Sequence, residues 1–369
     1  MKRLMAYFRR ETVFTIALAA ALLSFLLTPP GPHVLRGIDA STLLMLFSLM
    51  AVVGGLRLAG VFSHLGRAVT ARIHTSRALS AVLVTACFFL AMLATNDVAL
   101  LTLVPFTLAL MAQARQRDVI LTVALETIGA NLGSMVTPIG NPQNLYLYAS
   151  GRLALADFPA LTWPYALASL LLLLALTLCV SRSPLSAQAE AAQPVEDRRL
   201  RLHGALGVAA LLAVAKVLPP WLTAALVLVA ALAFDRQALR QVDYTLLGTF
   251  LCFFVFVSSV KECAPVRAWL EGMMAFSPMW ASLLVSQIIS NVPACLLLAP
   301  FTQDAPALML GVNLGGLGTL VASLASLISF KLYGGAAGAR KGRYLAAFTL
   351  LNLLFLALLL TLNAIMGNA

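Results

Sequence analysis

Two short polar phrases interrupt otherwise apolar stretches of this sequence, and both carry side chains that could bind an ion. The first phrase contains Thr95, Asn96 and Asp97, and the second contains Ser290 and Asn291. In both phrases the asparagine is followed nine positions later by a proline and then by a phenylalanine. An aspartate in hydrocarbon costs about 2.5 to 3.5 kcal/mol on membrane-insertion scales, so its presence indicates a function. The shared spacing indicates an internal repeat.

A longer phrase follows each polar phrase and strengthens the repeat. Residues 129–144 read GANLGSMVTPIGNPQN, and residues 311–326 read GVNLGGLGTLVASLAS, so that Asn131 falls on Asn313 without gaps. Glycine and proline free backbone carbonyls and amides, which a membrane tolerates only inside protein or beside a polar cavity. Two polar turns and two broken helices at matching places are typical of a secondary transporter whose site lies between its repeats.

Composition sets the class of protein. The chain has 369 residues, of which 61% are hydrophobic and 11% charged, and its mean hydropathy is +0.94. These values predict an all-α polytopic membrane protein. The net charge of +11 fits cytoplasmic loops rich in lysine and arginine, so we expect no nucleic-acid partner. Five cysteines without a CxxC pair and four histidines without ligand spacing predict neither a disulfide framework nor a zinc site.

Hydropathy and charge together predict about nine membrane spans plus two re-entrant helical hairpins. Nineteen of the 25 lysines and arginines fall on the predicted inner side and four on the outer side. This bias places the amino terminus in the cytoplasm and the carboxyl terminus outside. Basic residues flank the first polar phrase on both sides. That stretch should therefore enter and leave by one membrane face, with Thr95, Asn96 and Asp97 at its tip.

The predicted organisation is a pair of inverted repeats, each with one re-entrant hairpin and one broken transmembrane helix, joined by a linker. The first repeat is predicted to span 1–180, with its hairpin at about 78–112 and its broken helix at 119–148. The cytoplasmic linker and connecting helix follow at 181–218. The second repeat is predicted to span 219–369, with its hairpin at about 279–303 and its broken helix at 306–333.

The phrases TNDVALL and TPIGNPQN, echoed by SNVPACLL and GTLVASLAS, resemble those of the ion-transporter superfamily that holds sodium-coupled dicarboxylate symporters, arsenite permeases and certain sodium/proton antiporters. Within it the chain is most similar to the small YbiR-type anion permeases, over nearly its whole length. The resemblance implies that each hairpin tip faces an unwound helix, with one sodium ion per half and the substrate carboxylate between them. It also implies an elevator movement of a transport domain, usually in a homodimer.

By position, the resemblance implies an ion and substrate site that draws on both repeats. Sodium would bind near Asn96 and Asn291, and no cofactor beyond the coupling ion is implied. The chain departs from the symporter pattern at Asp97, which replaces a hydroxyl, and at Val292 and Pro293, which leave the second tip poorer in oxygen. The implied site residues are Thr95, Asn96, Asp97, Asn131, Thr137, Pro138, Gly140, Asn141, Asn144, Ser290, Asn291, Asn313, Gly318, Thr319 and Ser323.

Three charged residues in apolar surroundings have open roles. Asp97 could be a sodium ligand, a protonatable coupling group, or an N-cap at the start of the hairpin's second helix. An aspartate at this tip makes the sequence resemble the arsenite permeases more closely than the symporters. In those permeases a proton carrier is expected. Glu126 is a second candidate for proton coupling, or else a carboxyl that faces a vestibule or bonds a neighbouring helix. Arg57 either snorkels to the cytoplasm, which we favour, or neutralises a bound anion.

We expect a secondary active transporter of small anions in the cell inner membrane, coupled to a proton or sodium gradient. The alternatives are a sodium/proton antiporter and an efflux permease for arsenite or another metalloid. An enzyme is not expected, because the sequence lacks HExxH, GxSxG and CxxC motifs. The expected partners are the small anion, Na+ or H+, the lipid bilayer and a second copy of the chain in a homodimer.

Overall fold

The computed structural model describes residues 11–61, 64, 73–184 and 195–367. These ranges form α-helices, one 3-10 turn at Ala299–Phe301 and one isolated bridge between Thr75 and Pro184, and they contain no strand. The helices before residue 185 are α1 Thr12–Leu27, α2 Pro32–Arg36, α3 Ala40–Leu58, α4 Ser76–Ala94, α5 Asn96–Leu110, α6 Gln116–Ser134, α7 Pro142–Ala149 and α8 Asp157–Thr177.

The helices after residue 194 continue the same pattern of long and short segments. They are α9 Asp197–Val214, α10 Pro220–Phe234, α11 Arg236–Leu239, α12 Tyr244–Glu262, α13 Ala264–Phe276, α14 Pro278–Ile289, α15 Asn291–Leu298, α16 Ala305–Leu314, α17 Leu324–Gly334 and α18 Lys341–Ile365. The basic residues within 1–10 and 65–72, which support the predicted orientation, and part of the predicted linker, 185–194, lie outside the described residues.

Among the described residues, five helices are long and apolar enough to cross a membrane, namely α3, α4, α8, α12 and α18. A sixth span results if α13 and α14, between which the chain bends by 119°, are counted as one bent span. Shorter apolar helices include α5, α15, α16 and α17. The all-helical, multi-span class predicted from composition is therefore confirmed, whereas the count of nine crossings stays a prediction.

Helix α13 connects α12 to α14. Its buried residues Leu270 and Met274 are one turn apart and face the protein. Beside this face, Arg267 and Glu271 form an exposed ion pair of 2.7 Å across one turn. Their i, i+4 spacing suits a helix.

The described residues form two large apolar cores and a smaller one around Val52 and Val227. Helix α6 packs in the first core and α7 in the second. The order is reversed in the second half, where most of α16 packs in the second core and most of α17 packs in the first. Each of these interrupted helices thus passes between cores through a non-helical loop, residues 135–141 (the first loop) and residues 315–323 (the second loop).

Helix α6 approaches α4 closely because of Gly133. A Cβ atom at that position would lie 2.1 Å from the carbonyl oxygen of Phe88, so no larger residue fits without displacing backbone. Gly133 lies inside α6, and the first loop begins only after Ser134. Gly133 therefore serves helix packing, and the helix break itself is made by the residues that follow.

Candidate functional site

Two residues at the helix breaks adopt the same unusual backbone conformation. Thr95, between α4 and α5, has φ 72° and ψ 151°, and Ser290, between α14 and α15, has φ 76° and ψ 153°. Lys216 is the one other non-glycine residue with positive φ in the described ranges. Such conformations cost about 1 to 3 kcal/mol each and persist where surrounding contacts enforce them. We call residues 95–97 the first tip and residues 290–292 the second tip.

Each tip is bonded to the loop of its own half by its backbone. The amide of Asn96 donates to the carbonyl of Gly140 at 2.9 Å, and the amide of Asn291 donates to the carbonyl of Ala322, also at 2.9 Å. Gly140 and Ala322 occupy the same position in the ungapped alignment of the two longer phrases. The same pair of positions therefore forms the same hydrogen bond in both halves.

A threonine in each loop makes a second matching bond. Thr137 Oγ1 donates to the carbonyl of Met92 at 2.6 Å, and Thr319 Oγ1 donates to the carbonyl of Gln287 at 3.2 Å. These bonds join each loop to the helix that precedes its tip. Thr137 and Thr319 were both expected in the ion site, but neither lines the central cleft described below.

Asn131, near the end of α6, reaches across to the beginning of α17. Its Oδ1 accepts a hydrogen bond of 3.0 Å from Ser323 Oγ, and its Nδ2 donates to Ser326 Oγ at 3.4 Å. The same Oδ1 also accepts from Asn96 Nδ2 of the first tip at 3.2 Å. One carboxamide thereby connects the first tip, α6 and the second interrupted helix.

Asn313, near the end of α16, makes the reciprocal contacts to the beginning of α7. Its Oδ1 accepts from Asn141 Nδ2 at 2.9 Å, and its Nδ2 donates to Asn144 Oδ1 at 2.8 Å. Asn141 also caps α7, because its Oδ1 accepts the amide of Asn144 at 2.9 Å. The halves therefore exchange equivalent contacts, since Asn141 matches Ser323 and Asn144 matches Ser326 in the alignment.

The hydrogen bonds that the two tip asparagines make differ in one respect. Asn96 Oδ1 and Asn291 Oδ1 each accept the next backbone amide, at 2.9 Å from Asp97 and 3.0 Å from Val292. Only Asn96 also bonds the helix asparagine of its half, because within the described residues Asn291 makes no hydrogen bond to Asn313. The second tip is thus less firmly tied to α16 than the first tip is to α6.

A small cleft, partly open to solvent, lies where both tips meet the first turns of α7 and α17. The polar members of its lining come from both halves, and none of the described lining residues is basic. Hydrogen-bonding groups and helix amino termini are therefore what a ligand meets there. The cleft is lined by Asn96, Asp97, Pro142, Gln143, Leu246, Asn291, Val292, Ser323, Leu324 and Ala325.

Asp97 is the one ionisable residue among the described residues lining this cleft. The N-cap interpretation of Asp97 is wrong, because α5 begins at Asn96 and its cap is Thr95, whose Oγ1 accepts the amide of Val98 at 3.5 Å. Asp97 lies instead in the first turn of α5 and makes no side-chain hydrogen bond or ion pair to the part of the chain that the structure describes. Its carboxyl is thus available to a bound ion or proton.

Glu126 lies elsewhere, in the first apolar core, and does not line the cleft. Its Oε1 accepts from Thr107 Oγ1 at 2.5 Å, whereas its Oε2 is buried without a partner among the described residues. A buried carboxyl without a cationic partner is costly in its ionised form. The contact to Thr107 of α5 corresponds to the expected alternative of a bond to a neighbouring helix, and a role in proton coupling stays a prediction.

Arg57, on α3, is also outside the cleft. Its Nη2 donates to the carbonyl of Leu101 at 3.4 Å. That carbonyl has no intrahelical donor, because the residue four positions later is Pro105, which lacks an amide hydrogen. Arg57 is exposed, and it stabilises a proline-interrupted turn of α5 from the neighbouring helix.

The remaining predicted residues support the loops from outside the cleft. Pro138 is buried in the first loop. At Gly140, a Cβ atom would lie 2.1 Å from the carbonyl of Ser134, so glycine is required where the loop folds back on α6. Gly318, with φ 106°, lies against the side chain of Gln287.

Two glutamines that the sequence interpretation missed contact these elements. Gln143 lines the cleft and its Oε1 is buried without a partner in the described part of the chain. Gln287 bonds the second loop. Each is a polar residue close in sequence to a predicted site residue, and this proximity is the feature of the sequence that could have identified it.

Comparison with known proteins identifies the family of this chain. The family model described as citrate transporter (CitMHS) matches residues 4–325. The chain is 32% identical to the inner membrane protein YbiR of Escherichia coli over 80% of both chains. It is 28% identical to the uncharacterized transporter MJ0456 of Methanocaldococcus jannaschii over 90% of this chain and 92% of that one.

A third relative is the silicon efflux transporter LSI3 of Oryza sativa subsp. japonica, which is 35% identical over 39% of this chain and 29% of its own length. Together with the long apolar helices, the family match identifies an integral membrane protein of the transporter class. The YbiR-type resemblance inferred from the paired polar phrases is confirmed. The chain belongs to the citrate transporter family.

Proposed function

We propose that this protein is a secondary active transporter of small anions, driven by a proton or sodium gradient through alternating access. The observation that carries the proposal is the cleft in which the two tips meet the first turns of α7 and α17. A ligand there would contact both halves at once. Movement of the two hairpins and interrupted helices together against the other helices would then change the side from which the ligand is reached.

Anion binding rests on helix amino termini rather than on basic side chains. The first turns of α7 and α17 bring Gln143 and Ala325 to the cleft. The beginning of a helix carries partial positive charge and unpaired amide hydrogens, which suit a carboxylate or another oxyanion. Asn96, Asn291 and Ser323 add side-chain hydrogen-bonding groups around the same space.

Coupling follows from Asp97, because its carboxylate and a bound anion would share one small cleft. Two like charges 4 Å apart repel by about 4 kcal/mol at an effective dielectric constant of 20. A proton on Asp97, or a sodium ion beside it, removes this repulsion. Anion binding and cation binding would then favour one another, which is the thermodynamic requirement for symport.

The architecture that we propose is two inverted repeats, with re-entrant hairpins formed by α4–α5 and α14–α15. The matching tip bonds and the reciprocal contacts of Asn131 and Asn313 support the repeat. The bias of basic residues supports nine crossings, a cytoplasmic amino terminus and an external carboxyl terminus. The hairpins and interrupted helices would move as an elevator against the other helices, within a homodimer.

A second candidate is an efflux permease for a metalloid hydroxide. It is favoured by the combination of an acidic residue and no basic residue among the described residues of the cleft, which suits a small uncharged solute with hydroxyl donors. The local similarity to a protein named a silicon efflux transporter points the same way. A sodium/proton antiporter, in which Asp97 alone exchanges the cations, is the third candidate.

One assay separates the three candidates. The purified protein is reconstituted in liposomes that enclose a pH dye, and a sodium gradient is imposed without any other solute. We expect no proton movement until an anion is added, followed by gradient-driven uptake of one among dicarboxylates, citrate and sulfate. Proton movement with sodium alone, lost in Asp97→Asn, would establish the antiporter, and a response confined to arsenite would establish the metalloid permease.

Matched variants tie the result to the cleft. Asn291→Ala should abolish uptake while leaving a folded protein, because the backbone bond from residue 291 to Ala322 remains possible. Gln303→Ala, at an exposed position outside the cleft, should transport at the wild-type rate. Equal rates in Asn291→Ala and wild type would remove the cleft from the transport path.

A further inference from the structure

The second loop is folded around the side chain of Gln287. This residue lies on α14, less than one turn before the second tip. Its Nε2 donates two hydrogen bonds of 2.8 Å, one to the carbonyl of Gly315 and one to the carbonyl of Leu317. Its Oε1 accepts the backbone amide of Thr319 at 3.0 Å. All three bonds go to the main chain of one loop.

The loop conformation depends on this side chain. Gly318 has φ 106°, and a Cβ atom there would lie 2.4 Å from Gln287 Oε1. Glycine is therefore needed both for the backbone angle and for the close approach of the carboxamide. The loop is shaped to enclose the end of Gln287, and the two converging carbonyls are its inner surface.

Converging carbonyls in an interrupted membrane helix are the usual ligands of a coupling cation. Here their electrostatic demand is met by an amide nitrogen, which carries partial positive charge and has two hydrogens to donate. An amide group held at 2.8 Å from both carbonyls leaves no room for an ion between them. The side chain thus does what a bound cation would do for this loop.

In the first half, the residue at the position equivalent to Gln287 cannot play this role. The position that matches Gln287 is Met92, which has no hydrogen to donate. The carbonyls of Met135 and Thr137 are bonded instead by Asn144 Nδ2, at 3.1 and 3.2 Å. Asn144 comes from the following helix and also accepts the bond from Asn313, so it belongs to the contacts between halves.

We infer that the Gln287 carboxamide takes the place of a cation in the second half, so that the second loop is ordered without an ion. That such a cation would be the coupling ion of a transporter rests on the proposed function. The statement about the loop does not, and it can be tested on purified protein without any transport.

The test measures the melting temperature of the full-length protein in choline, sodium and lithium chloride at constant ionic strength. In Gln287→Glu, carboxylate oxygens face the carbonyls of Gly315 and Leu317, and a cation is needed between them. We expect sodium or lithium to raise the melting temperature of this variant, in a saturable manner, by about 3 °C or more beyond the rise that the wild type shows in the same salts. Gln303→Glu adds the same charge at an exposed site and should respond to the salts as the wild type does.

Gln287→Ser provides a second, uncharged variant, in which the shortened side chain frees both carbonyls and leaves space for an ion. It too should gain saturable stabilisation by sodium or lithium relative to choline. If both Gln287 variants remain monodisperse and respond to sodium and lithium no more than the wild type does, the inference is overturned. If the wild type transports no anion in liposomes, the proposed function fails but these melting temperatures are unaffected. The two proposals can therefore fail independently.

Discussion

Asn141 Nδ2 donates a 2.9 Å hydrogen bond to Asn313 Oδ1, which joins the start of α7 to a helix 172 positions later in the chain. The matching bond runs from Ser323 Oγ to Asn131 Oδ1 at 3.0 Å. Each half therefore supplies the partner that the other half's asparagine needs. Because these groups are buried, neither half can satisfy its polar atoms without the other.

Loss of either central asparagine should weaken both the fold and transport. In Asn131→Ala, the buried groups of Ser323 and Asn96 lose their partner, at about 1 to 3 kcal/mol for each unsatisfied group. We expect a melting temperature lower by several degrees and uptake reduced at least tenfold. Asn313→Ala should have a similar effect, because Asn141 and Asn144 lose the bonds that match those of Ser323 and Ser326 to Asn131.

A buried asparagine outside this network serves as the control. Asn352 on α18 bonds only a carbonyl of its own helix at 2.8 Å, and its Oδ1 has no partner among the described residues. Asn352→Ala should therefore cost less stability and leave uptake near the wild-type rate. Equal losses in all three variants would mean that burial alone, and not the exchange of contacts, determines the effect.

The strained backbone at the first tip can be separated from its hydroxyl. Thr95→Gly removes the side chain and relieves a positive-φ strain of about 1 to 3 kcal/mol, whereas Thr95→Val keeps the shape and the strain but removes the oxygen. We expect Thr95→Gly to melt above Thr95→Val in a thermal scan. A lower melting temperature for the glycine variant would show that side-chain packing at the tip outweighs its strain.

Asp97 should determine the pH dependence of transport if it carries the proton. Uptake needs the protonated carboxyl, so the wild-type rate should fall as pH rises, and Asp97→Asn should flatten the profile. The comparison is initial uptake from pH 5.5 to 8.5 in liposomes. Asp304→Asn, which alters an acidic cap on the exposed end of α16, should keep the wild-type profile. An unchanged profile in Asp97→Asn would leave Asp97 as a neutral or sodium-binding group.

Arg57 and Pro105 should be energetically coupled through one carbonyl. Arg57→Ala leaves the carbonyl of Leu101 without a donor and should destabilise the protein by about 1 kcal/mol. Pro105→Ala returns a backbone amide to that carbonyl, so the effect of Arg57→Ala should be smaller in this background. A double-mutant cycle on melting temperature measures the difference. Additive effects would mean that Arg57 acts independently of the interrupted turn.

Cysteine labelling tests the proposed first hairpin. Thr75→Cys and Ala114→Cys, each in a background without the five native cysteines, flank α4 and α5. If these helices form a re-entrant hairpin, an impermeant thiol reagent should label both positions from the same membrane face. Labelling from opposite faces would show that the stretch crosses the membrane.

Much of the candidate site was accessible from sequence because polar residues in apolar stretches are costly and therefore conspicuous. The two tips stood out by Asn96 and Asn291, and the interrupted helices by the phrases that contain Asn131 and Asn313. Span-length apolar runs gave the helical class in the same way. These signals are carried by composition and spacing. They are visible in the sequence because a polar group in a membrane is costly whichever helices pack beside it.

The tertiary structure decided which of these residues touch one another. The alignment relates Asn131 to Asn313, but it does not state that each bonds the opposite half. It likewise gave no role to Gln287, whose partners lie 28 and 30 positions away in the second loop. Hydrogen-bond partners across such separations are fixed by how helices pack, and packing depends on contacts throughout both cores. Sequence therefore determined where the polar groups lie along the helices, and only the packed fold determined which of them meet.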